Sequence, residues 1–168
     1  MTEDGPRKVV PRKDFAKLIT SIIIPQSIGI IGALFTIPSI GTWYAGLNKP
    51  SFNPPNWIFG PVWTVLYLLM GIALYLVWKK GLARYDARQA LAAFAAQLVL
   101  NLAWTFFFFF MNIPLAAFVE IIILWISIAV TARLFFRVSR TAGLLLIPYI
   151  MWVSYAALLN FMLWHLNR

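Results

Sequence analysis

The side chains able to do chemistry in this sequence of 168 residues are few, and their types narrow the field. There is no cysteine, which removes thiol catalysis, thiolate metal sites and disulfides. One histidine, His165, cannot build a histidine metal cluster. No acid–base pair or nucleophile constellation is present. What remains is eight tryptophans, six tyrosines and the amides Gln97, Asn101 and Asn160, set in apolar runs. Their chemistry is stacking on flat rings and hydrogen bonding to polar edges.

Spacing puts several of these groups on shared faces. Taking Ala92 as zero on a helix of about 100° per residue, Ala96 falls at about 40° and Ala103 at about 20°. Gln97, Asn101, Trp104 and Phe108 fall between about 120° and 180°, on the opposite side. Amides are costly toward lipid, so the Gln97/Asn101 face should look inward, either as a site or as structural glue between helices. The Ala92/Ala96/Ala103 face suits close approach and is a candidate helix–helix or dimer contact. Trp152, Ala156 and Asn160 recur at i, i+4 and i+8, with Tyr149 near the same stripe. Trp63, Tyr67, Met70 and Leu74 form a comparable stripe. Trp104, Trp125 and Trp152 fall near mid-span, away from the interfaces where tryptophan usually sits. Together these faces point to a pocket for a large, flat, mostly apolar molecule. Glu120 is the one acid within an expected span, either a functional group or one that reaches for the interface. Phe106 to Phe110 covers every helix face and says only "membrane".

The elements that must position these groups are membrane helices. Apolar residues make up 62% and charged residues 11%, with a mean hydropathy of +0.81, which no soluble domain matches. The expected fold is all-α, a bundle of five transmembrane helices at about 18–38, 57–78, 88–110, 113–136 and 141–166. Residues 1–17 form a basic, polar tail, and residues 18–168 a single membrane domain. Pro25 predicts a kink in the first span, and Pro148 lies inside the fifth. The net charge of +9 is not a nucleic-acid signal, because the basic residues cluster between apolar runs. Twelve of them fall in the tail, the second loop and the fourth loop, against Lys49 and Arg168 on the other side. The positive-inside rule then places the N-terminus in the cytoplasm and the C-terminus outside. No transit peptide is apparent, so a prokaryotic plasma membrane is expected.

One segment is not helical. Between Trp43 and Trp63 the chain holds three Trp, one Tyr, two Phe and four Pro. Pro50, Pro54 and Pro55 forbid a continuous helix and stiffen residues 39–56 into a lid rather than a linker.

This stretch, Trp43-Tyr44-x-x-Leu47-x-Lys49-Pro50-Ser51-x-x-Pro54-Pro55-x-Trp57-x-x-Gly60-Pro61-Val62-Trp63-Thr64, resembles the translocator protein family, also called TspO or tryptophan-rich sensory proteins. So do Gln97-Leu98-x-Leu100-Asn101-x-x-Trp104 and Pro148-Tyr149-x-x-Trp152-x-x-x-Ala156-x-x-Leu159-Asn160. The resemblance implies a five-helix bundle, usually a homodimer, with a cavity capped by the loop after the first helix. It implies binding of porphyrins such as protoporphyrin IX, of haem, of sterols or other lipids, and of benzodiazepine-type or isoquinoline carboxamide ligands. No cofactor is obligatory and no metal site is implied. Carried over by motif, the ligand-binding positions are Tyr44, Trp63, Asn101, Trp104, Trp152 and Ala156. Trp63 and Trp152 match tryptophans implicated in light-driven porphyrin breakdown in some members. Two departures stand out. Phe52 replaces a common Trp, and Phe161 and His165 stand where the family's proposed sterol motif needs Tyr and a basic residue.

The expected function is therefore that of a membrane receptor or sensor for tetrapyrroles. A transporter of porphyrins or lipids ranks lower, because no inverted repeat or paired mid-membrane charge is visible. A light-dependent porphyrin-degrading activity is the only enzymatic reading left open.

Overall fold

The computed structural model describes residues 12–168, and these are helical through most of their length. The order is α1 (Arg12–Ile40), a single 3₁₀ turn (Tyr44–Gly46), α2 (Asn56–Trp78), α3 (Tyr85–Thr105), α4 (Pro114–Val138), α5 (Arg140–Leu145) and α6 (Ile147–Leu166). Five helical stretches are long and apolar enough to cross a membrane, α5 and α6 together making the fifth. Ile23, Ile30, Leu34, Val99, Val119, Ile126 and Met151 all point outward, which suits hydrocarbon and no other solvent.

Several helix ends depart from expectation. The first helix starts at Arg12, so Lys13 to Lys17 are helical rather than tail. No proline follows Pro11 until Pro25, and Asp14 sits in the first turn, where a carboxylate complements the helix dipole. The remainder of the tail, residues 1–11, lies outside the described residues. The fifth span is broken rather than continuous. Pro148 lacks an N–H and takes a place in the first turn of α6, so the chain restarts its helix at Ile147.

Pro25 does not interrupt α1, which runs through it to Ile40. The carbonyl that Pro25 leaves without a helical donor belongs to Ser21, four residues earlier. That oxygen faces Gly71 of α2, where an added Cβ would stand 2.8 Å away and only 2.7 Å from Ile22 Cα. The missing side chain at Gly71 lets the two backbones touch.

The helices close in the order α1, α2, fifth span, α4, α3 and back to α1. Within the fifth span, α5 packs against α2, whereas α6 packs against α4 and diverges from α2. The core near α5 is dense: Phe94 stacks on Phe135 at 5.5 Å, and Met70, Ala73 and Val77 are completely buried. At the other end, where α2 and α6 part, the bundle is hollow.

Candidate ligand-binding cavity

The hollow has a volume of about 460 Å³, within the ~300–1,000 Å³ typical of small-molecule sites. Its walls come from α1, α2, α3 and α6, and its roof from the loop after α1. Five of the six expected residues line it: Tyr44, Trp63, Trp104, Trp152 and Ala156. They come from the loop and three helices, so only the tertiary fold brings them together.

Asn101 is the exception. It lies beneath the cavity, 1% exposed, and is absent from its wall. Its Oδ1 accepts from the Tyr67 hydroxyl at 2.6 Å, and its Nδ2 donates to the Tyr149 oxygen at 2.9 Å. Tyr149 in turn donates to Gln97 Oε1 at 3.0 Å, and Gln97 Nε2 approaches the Met70 sulfur at 3.9 Å. Asn101, named among the ligand-binding positions by motif, thus lies outside the cavity wall with its amide engaged. Two phenols already occupy this amide, and its role is to build a floor. A buried polar chain of this kind is stable only when its members are satisfied, and each of these has a partner.

On that floor stands the first aromatic wall. Tyr67 is held by Asn101, and Trp63 stacks on Tyr67 at 5.4 Å with 29° between planes. Trp63 also meets the edge of Tyr149 at 6.2 Å. Tyr67 is thus a site residue that the motif comparison missed, although it fell on the Trp63 stripe.

The second wall is Trp104. Its indole N–H donates to Asn160 Oδ1 at 3.0 Å, and Asn160 Nδ2 donates to the Pro114 carbonyl at 2.8 Å. This amide, 0% exposed, ties α3, α6 and the start of α4 together. Trp104 stacks on Phe108 at 5.4 Å and 19°. Phe108 and Phe109 lie in a π-type turn, Phe106–Phe110, with Met111 N–H bonded back to the Phe106 carbonyl at 2.9 Å. Phe108, four residues after Trp104 and on the same face, packs inward against Trp43 and Tyr44. Phe108 had already fallen on the Gln97/Asn101/Trp104 face of the helical wheel, whereas the contribution of Phe109 had no such signal.

The roof is braced from within and from α6. Tyr44 donates to Asn53 Oδ1 at 2.8 Å, and Lys49 sits 4.8 Å above the Tyr44 ring. Burial pushes the Tyr44 phenol above its ordinary pKa, so it stays a protonated donor at neutral pH. Tyr155 donates to the Phe52 carbonyl at 2.7 Å, and their rings meet at 6.4 Å. The aromatic that departs from the family's Trp therefore still serves the roof, through its ring and its backbone.

Other expectations resolve differently. Trp125 does not join the pocket: it faces outward and donates its indole N–H to Ser154 at 2.8 Å, linking α4 to α6. The rotation of α4 that buries Leu124 and Ile128 turns the adjacent Trp125 to the outside. Trp152 meets Phe59 edge-on at 6.2 Å, closing the α2–α6 side. Glu120 is buried on the inner face of α4, with neither carboxylate oxygen hydrogen-bonded, and does not reach the cavity. Phe161 and His165 stack on each other at 6.0 Å, away from the cavity. Ala92 and Ala96 are exposed and Ala103 half-buried, so this small face looks away from the bundle.

The cavity can hold a flat apolar molecule between aromatic walls. Its lining residues include no His, Cys or Met, so a haem would be held by stacking and shape rather than by an axial ligand of those types.

The model of one family, TspO/MBR, matches residues 21–165 of this sequence. Similar proteins include the tryptophan-rich protein TspO of Archaeoglobus fulgidus, 45% identical over 90% of this chain and 97% of that protein. The translocator protein of Ovis aries is 37% identical over 87% of each. The tryptophan-rich sensory protein of Cereibacter sphaeroides is 41% identical over 74% of this chain and 77% of that protein.

Proposed function

We propose, on the premise that this chain belongs to the TspO/MBR family, that it is a receptor binding a tetrapyrrole such as protoporphyrin IX or haem. That it is an integral, multi-pass membrane protein of receptor or sensor type follows from the family and the five apolar helices. The single observation that carries the finer reading is the convergence of Tyr44, Trp63, Trp104, Trp152 and Ala156 on one apolar cavity of about 460 Å³. A flat ring between indoles gains stacking as well as burial, and the gap at Ala156 leaves room for it. The cavity's hydroxyls are already engaged: Tyr44 with Asn53, Tyr67 with Asn101 and Thr105 with the Asn101 carbonyl. This favours a ligand held by its faces.

The charge pattern favours a cytoplasmic N-terminus with the roof on the opposite side, in a prokaryotic plasma membrane. The outward-looking alanines favour a homodimer through α3. Titration of the purified protein with protoporphyrin IX, read by tryptophan fluorescence, tests the main reading. Saturable quenching that weakens in Trp63→Ala and Trp152→Ala is expected, and absence of saturable quenching ends it.

A further inference from the structure

The cavity has two boundaries that a ligand could cross, and they are built oppositely. The roof is clasped. The side-chain amide of Asn167, after α6, pairs with the backbone of Asn48: Oδ1 accepts from Asn48 N–H at 2.8 Å, and Nδ2 donates to the Asn48 carbonyl at 2.9 Å. With the Tyr155–Phe52 bond at 2.7 Å, three hydrogen bonds tie the loop to the last helix. Pro50, Pro54 and Pro55 leave the loop few ways to hinge.

The side wall between α1 and α2 is the reverse. At one end the helices touch, backbone against Gly71. Among the described residues, Gln26 Nε2 to the Thr64 carbonyl, 3.1 Å, is the one side-chain hydrogen bond between these helices. Beyond it toward the roof, nothing from α1 fills the space beside α2 at Gly60. A Cβ built on Gly60 meets no atom within 4 Å, although Gly60 lines the cavity. Ile30, Ile37 and Trp57 line the cavity and yet are 66%, 70% and 73% exposed. Residues that are at once wall and outer surface mark a slot, and its rim is apolar, matched to hydrocarbon rather than water.

We propose that the cavity is loaded sideways from the bilayer through this α1–α2 slot, while the roof stays clasped. This rests on the ligand-binding reading above and deepens it. The ligands would be molecules already partitioned into the membrane, and molecules confined to water would be excluded whatever their shape.

The absence of cysteine allows a direct test. Ala33 and Gly60, both in the cavity wall, are replaced as Ala33→Cys with Gly60→Cys, and a second protein carries Asn48→Cys with Asn167→Cys. Each pair is bridged by a bifunctional thiol reagent with a reducible link, in liposome-reconstituted protein. Protoporphyrin IX association is followed by stopped-flow tryptophan quenching. Bridging the slot should slow association by about tenfold or more, reversed by reductant, and bridging the roof should change it by less than about twofold. The opposite pattern, or equal slowing by both bridges, overturns the route. If the unbridged proteins show no quenching, the tetrapyrrole reading falls, and the route is decided without a ligand. A single Ala156→Cys is then labelled with an alkyl-chain maleimide or a sulfonated one. Faster labelling from the lipid phase, blocked by Gly60→Phe, supports the slot. Labelling by the sulfonated reagent at an equal or greater rate, or no effect of Gly60→Phe, overturns it.

Discussion

Gly71 and Gly60 lie on the same helix, eleven residues apart, and show how its two halves differ. At Gly71 the backbone of α1 fills the space a side chain would take. At Gly60 nothing does. Gly60 has a local reason to be glycine, because a Cβ before a proline crowds the helical conformation, and Pro61 follows. Gly71 has a tertiary one. The half of the bundle around Gly71 exists to be closed, with Phe94 on Phe135 and the Phe136 ring seated against Gly143. The half around Gly60 exists to stay open. Between them lies the Tyr67–Asn101–Tyr149–Gln97 chain, the upper surface of the closed half and the floor of the open one.

If that division is right, substitutions in the closed half and the floor should cost stability, and those around the cavity should change binding. The largest effect is expected for Asn101→Ala. It strands the Tyr67 hydroxyl and one bond of Tyr149, at about 1–3 kcal/mol for each buried group, so a loss of roughly 3 kcal/mol is expected. Denaturant or thermal unfolding in a fixed detergent reads it. Unchanged unfolding with weakened protoporphyrin IX binding would break the division by returning Asn101 to the ligand. Next is Gly71→Ala, which forces α1 and α2 apart and should cost about 2 kcal/mol, as overpacking does. Ser21 and Ile22 contribute backbone atoms there, which cannot simply rotate away.

Trp63→Ala should act on the other quantity. Loss of a stacked ring is worth about 1 kcal/mol beyond area, so tetrapyrrole affinity should fall at least about fivefold, read by equilibrium titration. The smallest effect sharpens the contrast most. Gly60→Ala gains up to about 1 kcal/mol of helix propensity and loses part of it against Pro61. Its net change should stay within about 0.5 kcal/mol. A loss as large as that of Gly71→Ala would mean that the slot is closed in the membrane.

Much of this architecture was legible in advance, and the reason is one-dimensional. Hydrocarbon thickness sets span length, so five apolar runs read directly as five helices. Helical period assigns each residue a face, and Trp63, Trp104, Trp152 and Ala156, named by motif, all line the cavity. The prolines of the loop excluded a continuous helix, and between Ile40 and Asn56 the chain holds only one 3₁₀ turn. Helix ends were read less well, because Arg12 to Lys17 is polar enough to pass for tail and yet has nothing to stop a helix.

Tertiary structure alone decided whose partner each polar group would be. Period turned Asn101 inward but said nothing of the hydroxyls 34 residues before and 48 residues after it that would consume its amide. Trp125 and Trp152 looked alike in sequence. The rotation of α4 put one outside, and the divergence of α6 put the other against the cavity. Packing against Trp43 and Tyr44 of the roof buries Phe108 alone among the five phenylalanines. The sequence determines faces and lengths because those follow from repeat geometry along one helix. Satisfaction, stacking and the slot depend on the rotation, depth and separation of helices distant in the chain, and only the packed bundle sets those.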